Sequence, residues 1–256
     1  MKTIHPYGWK PSVPDDRDIK FSEQFMALSL VPTTKVKNID LESQCGSPFD
    51  QLDLGSCTAN AGAGLAEFLM NRLKLTFYIP SRLAIYYWER VLEHTVMEDS
   101  GASVRDVMKV MNTIGVPHEA LWTYNTKKFT VKPNQQVVAD ANAHKIGTYL
   151  SIAQKLTELK QCLIGRYPFI FGFNAYESFE SEAVANTGIL PMPSKTEQAL
   201  GGHCVMAVGF NDKTKMFKIK NSWGANWGQK GYFFMPYDYI LNPDLADDFW
   251  TAKTIN

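Results

Sequence analysis

The apolar pattern changes its period once along the chain, and that change limits the fold more than any other feature. Across residues 57–112 apolar side chains recur at three- and four-residue steps, so "AGLAEFLMNRL", "SRLAIYYWERVLEH" and "SVRDVMKVMNTIG" read as three helices, the last ending at Gly115 with Pro117 beyond. Beyond residue 142 the runs "HKIGTYLSI", "YPFIFGFNAY", "HCVMAVGF", "MFKIKNSW" and "GYFFMPYDYI" are β-rich and broken by Gly, Asn-Asp and Pro. The expected class is α+β: a helical lobe, a strand lobe, and a cleft where they meet. The polar residues 125–136 form the natural crossing, which divides the chain into an extended Pro-rich segment (1–44), a mainly helical lobe (45–133) and a mainly β lobe (134–256). The tail "NPDLADDFWTAKTIN", anchored by Phe249 and Trp250, reads as a terminal strand or strap that can return to the helical lobe.

Lys plus Arg and Asp plus Glu both number 26, which leaves no basic stripe for a phosphate backbone and argues against nucleic acid as a partner. The longest apolar stretches are too short to span a bilayer, and the opening residues lack the apolar core of a signal peptide. Membrane partners are therefore not expected, and a cytoplasmic or virion-associated setting is compatible with the sequence. The 4 cysteines have no C-x-x-C spacing and are too sparse for a disulfide scaffold, which fits a reducing compartment and disfavours a structural zinc site. No coiled-coil heptad asks for a second subunit, so a monomer is expected.

One cysteine occupies a special place. In "QLDLGSCTANAG", Ser56 is a good N-cap, which puts Cys57 in the first turn of a helix, where free N–H groups and the macrodipole favour a thiolate. Gly62 and Gly64 each cost this helix about 1 kcal/mol relative to Ala, so their presence implies close approach of neighbouring chain. The plain alternative is that Cys57 is a small buried hydrophobe.

The strand lobe supplies the counterparts. "LGGHCVMAVGF" carries His203 behind two glycines, and the return strand "KMFKIKNSWGANWGQKGY" ends near Asn221, with Trp223 and Trp227 following. A hairpin between them brings Asn221 beside His203 and lets the amide hold one ring nitrogen while the other faces a thiol. Separately, these residues read as a core histidine, a turn residue and core aromatics. Together with Cys57 they make a nucleophile, a base and an orienter.

Three blocks, "QLDLGSC", "GGHCVMAVGF" and "KNSWGANWGQKGYF", resemble the papain-like cysteine peptidases that include the cathepsins, over roughly residues 51–250. His203 follows Cys57 by 146 residues, inside the spacing of that family. The resemblance implies a papain-like two-lobe fold, with a central catalytic helix packed on an antiparallel, barrel-like β lobe and the active site in the interlobe cleft. It implies peptide or protein substrates, no cofactor and no metal. By position, Cys57 is the nucleophile, His203 the base and acid, Asn221 its orienter, Gln51 an oxyanion donor with the Cys57 N–H, and Trp223 the shield over the Asn–His bond. Ser100 and Gly101 stand where family members pair with substrate backbone. Gly201, Gly202 and Cys204 stand at the pocket for the side chain two positions before the scissile bond, and the glycines leave it open to bulky apolar or aromatic residues.

The implied chemistry is peptide hydrolysis through a thioester on Cys57. An imidazolium at a helix N-terminus lowers a cysteine pKa from about 8.5 to about 3–4, as in papain itself, so the ion pair is expected before substrate arrives. Leu54 replaces a family cysteine that would form a disulfide, and Thr58 replaces an aromatic. "GSCTANA" is closer to the divergent microbial and viral branch than to animal lysosomal enzymes. Cys204, on an apolar strand beside His203, is expected to face away from the imidazole.

Only 56 residues precede Cys57, and Pro6, Pro11, Pro14 and Pro32 argue for an extended strap rather than a helical prodomain. The strap is either tied to the surface of one lobe or laid across the cleft as an autoinhibitor. An active endopeptidase is the expected function; a noncatalytic binding protein on the same fold, an exopeptidase and a ligase are the alternatives.

Overall fold

A computed structural model describes residues 5–25 and 32–256. The helical lobe is built on α2 (Cys57–Leu73), α3 (Arg82–Leu92) and α4 (Val104–Thr113), while a short α1 (Phe21–Gln24) precedes them. Helix α2 is buried on every side from Cys57 to Met70, the signature of a central helix. Gly62 explains how it is enclosed: a Cβ there would sit 2.6 Å from Val107 of α4. Gly64 faces the strand lobe with ordinary room, its nearest atoms 3.6 Å away on Lys220 and Met206.

The strand lobe is one antiparallel sheet in the order β2 (Tyr149–Ser151), β7 (Ala246–Ala252), β3 (Phe169–Tyr176), β4 (Ala199–Asn211), β5 (Met216–Lys220), β6 (Tyr232–Pro236), with β1 (Asn38–Asp40) added to β4. The sheet is open rather than closed, for no pairing among the described residues joins β6 to β2. Phe169, Phe171 and Phe173 alternate onto one face and meet Phe217, Phe233 and Phe249. The opposite face of β4, through Met206, lies against α2. The two lobes thus share one continuous core.

The strand lobe also carries helices that its β-rich runs do not announce. Helix α5 (Gln135–Ala143) starts inside the polar crossing, capped by Asn134, and α6 (Leu156–Ile164) turns Leu159, Cys162 and Leu163 inward. "GYFFMPYDYI" divides at Pro236: the strand stops where the ladder loses an N–H, and α8 (Tyr237–Leu241) begins. A further short helix, α7 (Glu182–Thr187), lies between β3 and β4. Among the described residues no helix is long and apolar enough to cross a membrane.

Candidate active site

Cys57 opens α2, and Ser56 holds the N-cap position without capping by its side chain. Its hydroxyl instead pairs with the Tyr124 hydroxyl at 2.6 Å and accepts from Asn60 Nδ2 at 3.0 Å. Across the cleft, the β4–β5 hairpin pairs Met206 with Lys220, so Asn221 returns beside His203. The His203 Nε2–H donates to Asn221 Oδ1 at 2.8 Å, which leaves Nδ1 as the basic nitrogen. Trp223 lies over this bond with its ring centroid 5.1 Å from the imidazole, backed by Phe179 and Trp227.

Gln51 is fully buried and held from both ends. Ser222 Oγ–H donates to its Oε1 at 2.6 Å, and the amide Nε2 donates to the Leu54 carbonyl at 3.0 Å. Ser222, which thus holds Gln51 in place, has as its only sequence signal its place directly after Asn221. Thr58, where the family carries an aromatic, donates its hydroxyl to Glu89 at 2.8 Å. Burial drives the Glu89 carboxyl well above the usual range.

The N-terminal segment runs through this cleft. The Pro6 carbonyl accepts from Gln51 Nε2 at 3.0 Å, and the Gly8 carbonyl accepts from Ala102 N–H at 2.7 Å. Trp9 N–H donates to the Gly202 carbonyl at 2.8 Å, and Lys10 N–H to the Ala102 carbonyl at 3.1 Å, making a parallel bridge. Gly8 is obligatory there, because a Cβ would lie 1.7 Å from the Gly55 carbonyl oxygen. The Trp9 indole covers Gly172 so closely that a Cβ on that glycine would fall 1.8 Å from the ring, and it also lies over Gly202. Tyr7 packs on Gly201.

Polar anchors fix the segment on either side. Glu180 accepts from the Tyr7 hydroxyl (2.8 Å) and from His5 Nδ1–H (2.9 Å), while the His5 ring stacks on Trp223 at 3.8 Å. Asp248 gathers Ser12 Oγ–H (2.8 Å), the Val104 N–H (3.1 Å) and the indole N–H groups of Trp250 (2.7 Å) and Trp9 (3.3 Å). Arg105 pairs with Asp18 farther along.

Two features of the strap contact bear on the expected site. The strap takes its backbone bonds from Ala102, next to the expected Ser100 and Gly101: Ser100 turns its hydroxyl to Thr95 at 2.7 Å, and Gly101 N–H donates to the Tyr86 hydroxyl at 3.0 Å. With the strap seated, His203 Nδ1 makes no hydrogen bond to Cys57 Sγ. Cys57 and His203 are both fully buried, and His203 Nδ1 has no hydrogen-bond partner among the described residues. Burial pushes the Cys57 thiol up to about 12 and the His203 imidazole down to about 4, which favours the neutral form of each. Cys204 is buried on the strand face opposite His203, where it borders Asn60, Ala61 and Gly64 of α2.

The profile of the papain family cysteine proteases matches residues 92–245, more than half of the chain, and includes His203 and Asn221. An uncharacterized peptidase C1-like protein of Acanthamoeba polyphaga mimivirus is 39% identical over 270 residues, covering 97% of this chain and 87% of that one. The crystal structure of xylellain, a cysteine protease from Xylella fastidiosa, superposes with a TM-score of 0.90 at 38% identity, covering 100% of this chain and 98% of that one. Procathepsin L2 of Tenebrio molitor, at 18% identity and a TM-score of 0.74, shares the fold over 96% of this chain and 78% of its own.

Proposed function

Since the chain belongs to the papain family of cysteine proteases and is a cysteine peptidase, we propose that it is an endopeptidase held latent by its own N-terminal strap. The observation that carries this reading is the Pro6 carbonyl oxygen, 3.0 Å from Gln51 Nε2. That amide is the donor a tetrahedral oxyanion would need, and here it already serves a carbonyl of the same chain. The strap also fills the groove on which a peptide would lie, with Ala102 and Gly202 taking its backbone.

Once the strap leaves, water reaches the pair and solvates charge, and the proton moves from Cys57 Sγ to His203 Nδ1. The thiolate adds to a peptide carbonyl, and Gln51 Nε2 and the Cys57 N–H bind the oxyanion; loss of one such donor costs about 2.7–4 kcal/mol. Collapse to the thioester expels the amine, which takes its proton from His203, and water then releases the acid with His203 as base. Asn221 keeps Nδ1 aimed at sulfur throughout. The slot that holds the Trp9 indole, floored by Gly172 and Gly202, is the pocket for the residue two positions before the cut, so it accepts bulky aromatic side chains.

The test compares the full chain with a protein lacking residues 1–11, which keeps the Ser12–Asp248 and Arg105–Asp18 contacts and the buried Phe21. The shortened protein should react with a thiol-directed epoxide at Cys57 and cleave aromatic-containing peptides internally; the full chain should do both far more slowly, and Cys57→Ala should do neither. Equal rates in the two proteins would remove latency. A folded short form whose Cys57 stays inert would remove the mechanism.

A further inference from the structure

We infer that His118, Asp140 and His144 form a three-ligand site for a divalent transition-metal cation of the zinc class. The site lies beyond the far end of α2: the adjoining cavity is walled by Met70, about 20 Å along the helix from Cys57 at 1.5 Å per residue. It is separate from the peptidase chemistry and does not depend on it.

The geometry is that of a nearly assembled cation site. One ligand atom from each residue lies within 4.8 Å of the other two. His118 Nδ1 is 2.9 Å from one Asp140 carboxylate oxygen, and His144 Nδ1 is 3.7 Å from the other. A tetrahedral site with metal–ligand bonds of about 2.0–2.1 Å has ligand–ligand edges of about 3.3 Å, so a small shift of the Asp140 carboxylate and the rings brings one oxygen and the two Nδ1 atoms to that spacing. Asp140 and His144 are four residues apart at the C-terminal end of α5, so they share a helix face whose dipole favours positive charge.

The supporting groups hold these ligands in place. His118 stacks on Tyr78 at 3.8 Å, its ring meets His144 edge-on at 4.9 Å, and its backbone N–H donates to Asp140 Oδ2 at 2.8 Å. Without a metal, His118 Nδ1–H donates to the Asp140 carboxylate and His144 Nδ1–H to the Asp140 carbonyl, 2.8 Å away. A cation bound at the two Nδ1 atoms takes their lone pairs and leaves each ring proton on Nε2. Two imidazoles and one carboxylate suit zinc, cobalt or nickel over calcium or magnesium, which prefer oxygen cages. Beside the ligands is a cavity of about 220 Å³ bordered by Tyr78 and Leu75, with room for a water as the fourth ligand.

The experiment titrates cobalt and zinc into full-length Cys57→Ala protein, which removes the one thiol of the peptidase site. One Co²⁺ per chain should bind, with visible bands of a four-coordinate N/O site and no thiolate charge-transfer band. His118→Ala and His144→Ala should each weaken binding about 100-fold or more, beyond the 10–100-fold typical of losing a supporting group, while the exposed His94→Ala should not. Ring-nitrogen NMR of the same protein with both histidines intact should show Zn²⁺ moving the His118 and His144 signals and leaving His94 in place, a readout that survives if either variant folds poorly. Failure to take up either metal at micromolar concentrations, or uptake indifferent to both histidines, would overturn the site.

Discussion

The strap and the sheet it crosses are held by different forces. Strand β3 and its neighbours are fixed by apolar burial, with Phe169, Phe171 and Phe173 fully enclosed among other aromatics. Residues 5–18 of the strap bury one large apolar side chain, Trp9, and otherwise hold on through polar contacts: backbone hydrogen bonds to Gln51, Ala102 and Gly202, two carboxylates, Glu180 and Asp248, and the Lys10–Glu93 and Arg105–Asp18 pairs. Burial of many rings is cooperative and insensitive to pH; a few polar anchors can be released one at a time. On the proposed reading, the difference lets the segment leave while the sheet that carries His203 and Asn221 persists.

That contrast can be broken most severely from the sheet side. Phe173→Ala removes a ring that packs on Phe179, Phe233 and His203, and should cost about 3–5 kcal/mol of global stability in denaturant unfolding. If the loss appeared only as a looser strap, frame and strap would not be separable. Trp9→Ala empties the slot over Gly172 and should shift strap seating by about 3 kcal/mol, near the low end for a buried tryptophan. Labelling of Cys57 should then rise by about two orders of magnitude, since every 1.4 kcal/mol is a factor of ten, with the unfolding midpoint changed much less.

Glu180→Gln is the smallest change and sharpens the comparison through pH. Burial raises the Glu180 carboxyl, but the donors from His5 and Tyr7 outweigh it and hold the group below its ordinary 4.5. A depressed carboxyl contributes hold that is complete above the undocked value of 4.5 and is lost as pH falls through the docked value. Labelling of Cys57 in the full chain should therefore accelerate below about pH 4.5, and Glu180→Gln, which gives up about 1–2 kcal/mol of charged hydrogen bonding, should label faster at neutral pH with a flatter acid limb. An acid limb unchanged by the substitution would assign the release to another group. Near neutral pH the catalytic pair adds nothing to this dependence, for one titratable proton resides on Cys57 and His203 together whether the strap is seated or gone; His203, pushed down to about 4 by burial, takes up a proton in the same acid window, and the Glu180→Gln comparison separates the two groups.

Much of this was legible in the residues, and the illegible parts have physical reasons. The three helices, the β4–β5 return and the encasement of Gly62 follow from local period and the absence of a Cβ, whereas the expected Ser56 cap is not made by its side chain, which Tyr124 and Asn60 engage instead. Helices α5 and α6 escaped notice because each has only 9 residues and an apolar face of two or three side chains. That the strap takes its backbone bonds from Ala102 was equally hidden, for the Tyr86 hydroxyl claims the Gly101 N–H, a contact made across 15 residues. The full burial of Cys57 and His203 was illegible for a similar reason. Local sequence predicts what a helix N-terminus does to a thiol, but whether water reaches it depends on a strap about fifty residues upstream.

The central claim is that seating the strap turns the Cys57–His203 ion pair into two neutral groups. Ultraviolet thiolate absorbance at pH 6, taken as the difference between each protein and its Cys57→Ala counterpart, reads this state directly. The protein lacking residues 1–11 should show one thiolate and the full chain none. One thiolate in both would contradict the account.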